Sequence, residues 1–302
     1  MRAIFALIGV LVLAHAAAAA SAAPSTCATY DDRPLETGRL PPVLPELSGL
    51  AASRQHAGIY WAHNDSGHAL EVYAIRDDGT LVATFAIHEA VASDLEDIAV
   101  GPCTRTDPRP CLYLADTGDN LRSRSRVQIV RVVEPATLHS GPLIADTFSF
   151  TYPDGAHDAE ALLVDPRTAE IYVVTKSIAS LGTVYRIDRP GIARQGKAVR
   201  GASLSTPGGF DAFVTGASVH PSGTRILLRT YLGVWEYRRP GARGIADVLE
   251  ASPTAVPGAL QPQGEAITYT ADGASYVVGS EGGATPLFRI RCRQLDGQPA
   301  RE

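Results

Sequence analysis

A short phrase recurs five times along this chain. Its clearest copies are Ser93–Val100 (SDLEDIAV), His157–Val164 (HDAEALLV) and Pro262–Tyr269 (PQGEAITY). Weaker copies are Pro45–Ala52 (PELSGLAA) and Phe213–His220 (FVTGASVH). Aligned on the apolar residues that follow, one position reads Ser48, Glu96, Glu160, Thr215 and Glu265. Each copy opens a short apolar strand, then a turn, then a second strand. Units repeating at roughly 40–60 residues predict a propeller or a solenoid, because one such unit cannot bury its apolar face alone.

Read as strand units, the first spans 47–53, 58–64, 70–75 and 80–87, with Asp78-Gly79 as a hairpin turn. The second takes 96–100, 111–116, 127–133 and 146–152. The third takes 160–164, 170–175, 183–187 and a strand near 197–204, and the fourth 216–220, 225–231, 233–238 and 245–250. The fifth has only 265–270, 275–280 and 287–292 before the chain ends. The segment 35–40 is left without a partner, and it would supply the missing outer strand and remove an open edge. The expectation is an all-β, five-bladed β-propeller closed by an N-terminal strand. Six blades are the alternative, if the long stretch between Glu96 and Glu160 hides a divergent unit. No helical stripe of useful length interrupts this pattern.

The first residues read differently. Arg2 is followed by an apolar, Ala-rich run to Ala20, and Ala20-Ser21-Ala22 is a small-residue cleavage site. Residues 1–22 are therefore expected to be a secretory signal peptide and 23–302 a single β-propeller domain. No later segment is apolar and long enough to span a bilayer, so the mature chain is placed in the periplasm or outside the cell. There the four cysteines are expected in disulfides. Cys103 and Cys111 bracket a Pro-rich turn and pair with each other, which leaves Cys27 for Cys292, a staple across the ring closure. The 28 Gly and 21 Pro suit many tight turns, and a net charge of −5 argues against a nucleic-acid partner.

The chemistry follows from the repeat. The first strand of each blade lines the axis of a propeller, so Glu96, Glu160 and Glu265 converge at one face and repel one another. A bound cation would compensate; the alternative is that each Glu accepts from backbone N–H groups of a neighbouring blade, with Lys or Arg balancing the charge. With Ser48 and Thr215 the set is all oxygen, which favours Ca²⁺, or Mg²⁺, over Zn²⁺. The tips of the second strands reach the same face. They carry His63 and Asp65, Asp116 and Asp119, Lys176, Arg229, and Glu281. His63 and Asp116 are the candidate general bases, and Asp65, Asp119, Lys176, Arg229 and Glu281 the candidate ligand-binding groups for a small anionic molecule. Turn chemistry alone also explains many Asp, Asn, Ser and Gly residues there. The chain holds no Gly-x-Ser-x-Gly elbow, phosphate loop, dinucleotide fingerprint or His-Glu-x-x-His.

LSGLAAS, YWAHNDSG, DLEDIAVG, LYLADTGDN, VEP (Val133–Pro135), HDAEALLVD, VVTKS and QGEAITY together make the chain resemble a widespread group of uncharacterised bacterial secreted propeller proteins. More distantly, the order Ser48, Glu96, Glu160, Thr215, Glu265 is similar to the axial calcium ring of the calcium-activated nucleotidases (apyrases), five-bladed propellers with Ser, Glu, Glu, Ser and Glu there. That likeness implies that all five residues here are calcium ligands, with Thr215 keeping the hydroxyl of the serine it replaces. Phytase-like and lactonase-type propellers share the SGLA phrase and an axial metal. The function expected is thus a metal site serving a small anionic ligand, with phosphoester or lactone hydrolysis. The alternative is a non-catalytic propeller that binds a protein or glycan around a structural ion.

Overall fold

The computed structural model describes residues 27–188, 195–205 and 213–293. The leader expected at residues 1–22 lies outside the described residues. Among the described residues the chain is all-β, with twenty-one strands and one short helix. No helix there is long and apolar enough to cross a membrane.

Strand β1 (Leu35–Arg39) precedes a meander of β2 (Leu47–Ala52), β3 (Ile59–Asn64), β4 (Glu71–Arg76) and β5 (Leu81–His88). Next come β6 (Leu95–Pro102), β7 (Pro110–Asp116) and β8 (Val127–Val133), the short β9 (Gly141–Ile144), and β10 (Asp146–Thr151). A third meander holds β11 (Ala159–Val164), β12 (Ile171–Thr175), β13 (Thr183–Asp188) and β14 (Gln195–Ser203). A fourth holds β15 (Val214–Val219), β16 (Arg225–Thr230), β17 (Val234–Arg238), helix α1 (Ile245–Leu249) and β18 (Thr254–Val256). The last comprises β19 (Gly264–Tyr269), β20 (Ser275–Ser280) and β21 (Pro286–Arg291).

Parallel pairing of β10 with β14 fuses the second and third meanders into one eight-stranded sheet. Strand β9 leaves its own meander and pairs with β5 in parallel. Together with the loop between β7 and β8, it accounts for the long stretch between Glu96 and Glu160. The segment expected to close the chain does so: β1 lies antiparallel to β21. Both expected disulfides are present, Cys27–Cys292 across 265 residues and Cys103–Cys111 across 8. The first closes a far longer loop, so by chain entropy alone it contributes the more, about 5.5 against about 2.5 kcal/mol.

The inner strands β2, β11 and β19 are buried at every residue, because they are covered on both faces. Farther out the pattern alternates, as in β5, where Ala83, Phe85 and Ile87 point into the core. The five inner strands touch in a cycle, β2 to β6 to β11 to β15 to β19 and back to β2. Side chains bond the members of that cycle together. Ser48 Oγ donates to the Glu96 carbonyl and Thr215 Oγ1 to the Gly264 carbonyl. Tyr269 N donates to Ser218 Oγ and Ala52 N to Thr268 Oγ1, both at 3.0 Å.

One expected strand is corrected. Residues 245–250 form no strand; helix α1 occupies Ile245–Leu249, and the outer strand of that meander is β18. Ile245, Val248 and Leu249 are its buried residues, a spacing of three and four that aligns them on one helical face but not on one face of a strand.

Candidate metal centre and its rim

The repeated position has a structural cause. In every meander the register between the first and second strands slips where the repeated residue stands. The slips fall between Leu47 and Gly49, Leu95 and Asp97, Ala159 and Ala161, Val214 and Gly216, and Gly264 and Ile267. Ser48, Glu96, Glu160, Thr215 and Glu265 are thus the unpaired residues of five bulges. A bulge frees a residue from the pleat and re-aims its side chain. All five are buried, between 1% and 6% exposed.

Three carboxylates meet closely. Glu96, Asp158 and Glu160 offer oxygens within 4.8 Å of one another, and Asp65, Asp94 and Glu96 do the same on the other side of Glu96. Gly118 makes room for them: a Cβ there would lie 1.9 Å from Glu96 Oε1 and 2.5 Å from Asp94 Oδ2. Among the described residues, the ammonium that pairs with the group is Lys176, whose Nζ donates to Glu160 Oε1 at 2.8 Å and to the Tyr231 hydroxyl at 3.0 Å.

The electrostatics express this shortage of positive charge. Burial, then Glu160 and Asp65, push the Glu96 carboxyl well up. Burial raises Glu265 to about 9, with Glu160 and Glu281 adding to it. Glu160 reaches only about 7, because Lys176 opposes the effect of burial. Asp65, Asp94 and Glu281 are also pushed up, each by burial first. Burial works against the charge on Lys176, but Glu160 prevails and holds the ammonium above its ordinary range.

The structure brings some of the expected rim residues to this cluster and gives the others different work. Asp65, Lys176 and Glu281 face it. His63 does not: it is fully buried in β3, and its Nδ1–H donates to its own strand at the Asn64 carbonyl, 2.9 Å away. A Cβ on Gly49 would come within 2.4 Å of His63 Nε2, so the ring lies tight beneath β2. Burial pushes it down to about 4, which keeps it neutral. Asp116 is likewise committed. Its Oδ1 accepts from Ser93 N at 3.1 Å, Asp94 N at 2.9 Å and Arg124 Nη2 at 2.9 Å, and its Oδ2 accepts from Gln128 at 2.6 Å. It positions Asp94, and it is fully buried, out of reach of a substrate. Asp119 folds its own loop by accepting from Ser123 N and Arg124 N at 2.9 and 2.7 Å. Arg229 is buried and donates to Gln261 Oε1 at 2.9 Å.

Sequence reasoning missed Asp94 and Asp158. Each stands two residues before a repeated glutamate, as the residue that leads into β6 or β11. The signal was the Asp-x-Glu inside two copies of the phrase. It also missed Asp97, which is fully buried among the inner strands. Asp97 accepts from Ile98 N and Leu162 N at 2.8 Å and from Ala217 N at 3.1 Å, joining β6, β11 and β15. No family model and no curated protein matches the chain.

Proposed function

We propose that the chain is a five-bladed β-propeller with a divalent cation, Ca²⁺ before Mg²⁺, at one end of its axis, and that the site serves a small anionic ligand. The cycle of five inner strands, the five matching bulges and the β1–β21 closure support the blade count. The observation that carries the cation is the convergence of Glu96, Asp158 and Glu160 within 4.8 Å, with Lys176 as their paired ammonium. Oxygen donors in that number suit Ca²⁺. Glu96, Glu160 and Glu265 would hold it with Asp158. The Ser48 and Thr215 hydroxyls, each donating its proton to a main-chain carbonyl, would turn an oxygen lone pair toward it. The likeness to the axial ring of the nucleotidases supports the same five residues. A cation there would supply charge compensation and polarise a phosphoryl or lactone oxygen. Lys176, relieved of part of Glu160, would meet the anion. The two disulfides agree with a secreted or periplasmic setting.

A second reading keeps the ion and drops the chemistry, leaving a propeller that binds a protein or glycan. The burial of His63 and of Asp116 favours it, since neither is exposed to a substrate. One experiment comes before both: thermal unfolding after chelation, and again with Ca²⁺ or Mg²⁺ restored. An ion that binds only the folded chain at 100 times its dissociation constant adds about 2.7 kcal/mol. The expected result is a rise restored by Ca²⁺, with turnover of phosphoesters or lactones then separating the readings. An unchanged melt and no stoichiometric metal would remove the cation.

A further inference from the structure

The other end of the inner strands carries a second cavity. There the five turns leading to the second strands surround an open basin of about 670 Å³. Arg54 lines it from the first turn, Pro102 and Pro110 from the second, Pro166 from the third, Pro221 from the fourth and Asp272 from the fifth. A narrow bore of about 20 Å³ continues between the inner strands, and Arg54 lines both spaces. The size of the basin is that of a small-molecule site.

Its walls are unusual in what they lack. Proline has no N–H and a rigid, apolar ring, so three of the five turns present apolar ring faces rather than donors. Arg54 is the cation among the lining residues. Its backbone is fixed: the buried Glu134 accepts from Arg54 N at 3.2 Å and from Trp61 Nε1 at 2.7 Å, and it also accepts from Ser53 Oγ. These donors gather on Oε1 of Glu134, and its carboxylate is a nearby negative charge that steadies the Arg54 guanidinium without a direct pair. Among the described residues no hydrogen bond or ion pair engages the Arg54 guanidinium. Asp272 is held in its own turn, where its Oδ1 accepts from Ala274 N at 3.0 Å. It places a negative charge on the turn next to that of Arg54, since β19 adjoins β2 in the strand cycle.

We propose that this basin binds a small monocarboxylate with an apolar body. The guanidinium fork matches one carboxylate in a bidentate pair, and the proline faces cover the apolar remainder. Asp272 repels a second negative charge, which disfavours phosphates and dicarboxylates. The inference is independent of the cation site, which lies at the opposite end of the same strands.

The test is calorimetric titration of the full chain with phenylacetate, with inorganic phosphate and with benzylamine. Phenylacetate is expected to bind saturably at one per chain, and phosphate and benzylamine at least about tenfold more weakly. Arg54→Gln should weaken phenylacetate by at least about tenfold, the worth of one charge-assisted pair. Arg54→Lys, which keeps the charge and loses the fork, should retain part of the affinity, and it decides the matter if R54Q melts early. Glu265→Gln should leave phenylacetate binding unchanged. Absence of saturable binding, equal affinity for phosphate, or indifference to R54Q and R54K would overturn the proposal. Loss of binding in E265Q would move the anion to the carboxylate end.

Discussion

Lys176 sits between two roles. Its Nζ lies 2.8 Å from Glu160 Oε1 and is part-buried, so it lends the cluster a positive charge that a metal would otherwise supply. Two like charges about 5 Å apart at an effective dielectric of about 20 cost about 3 kcal/mol. A bound cation and Lys176 therefore compete for Glu160. Lys176→Met should lower the melt of the metal-free protein, by about 1–3 kcal/mol of stability, since it strands a buried carboxylate that can still take a proton. The same variant should bind Ca²⁺ about tenfold more tightly in a calorimetric titration. Weaker Ca²⁺ binding by K176M would show instead that the ammonium organises the site. Either result is independent of the identity of the anion.

At the scale of elements, the bulge is what converts a repeated phrase into a site, and it was only half legible. The phrase located Glu96, Glu160 and Glu265 at strand starts, and convergence followed from the architecture. The apolar periodicity also located nearly every strand, because inner strands covered on both faces read as continuous apolar runs. Helix α1 escaped because one turn of helix is too short to separate its period from that of a strand. The tips of the second strands misled for a different reason: Asp116 and His63 look exposed in a turn-like string, but main-chain donors and overlying strands claim them. Asp97 was invisible because a carboxylate inside an apolar run looks like an interruption of the core. Its partners, Leu162 N and Ala217 N, are far away in sequence. It tests how far the inner strands depend on one another. Asp97→Asn preserves size but removes the charge and turns an amide N–H₂ toward backbone donors. A loss of about 2–4 kcal/mol is expected in denaturant unfolding. A loss under about 0.5 kcal/mol would mean that backbone pairing and packing hold the three strands without it.

On the scale of the whole molecule, two opposite ends of one strand cycle carry different chemistry: carboxylates short of positive charge at one, a guanidinium among prolines at the other. The carboxylate end ties the stability of the entire fold to pH. Glu160 and Glu265 are raised to about 7 and about 9 from an ordinary 4.5, and Glu96 moves the same way. The folded chain therefore holds more protons than the unfolded chain between those limits. Stability then falls as pH rises, and the contribution of each group is full below its unfolded value and lost as pH passes its folded one. Without metal, the melting temperature should decline from about pH 5 to about pH 9, with Glu265→Gln flattening the upper part of the window. Ca²⁺ must displace those same protons, so its affinity should rise over this range and its addition should flatten the decline. Melts taken across the range with chelator and with Ca²⁺ check both statements together. A metal-free melting temperature that stays level or climbs toward pH 9 would mean that the carboxylates are ionised and already satisfied in the folded chain. A cation would then have no unmet charge to compensate.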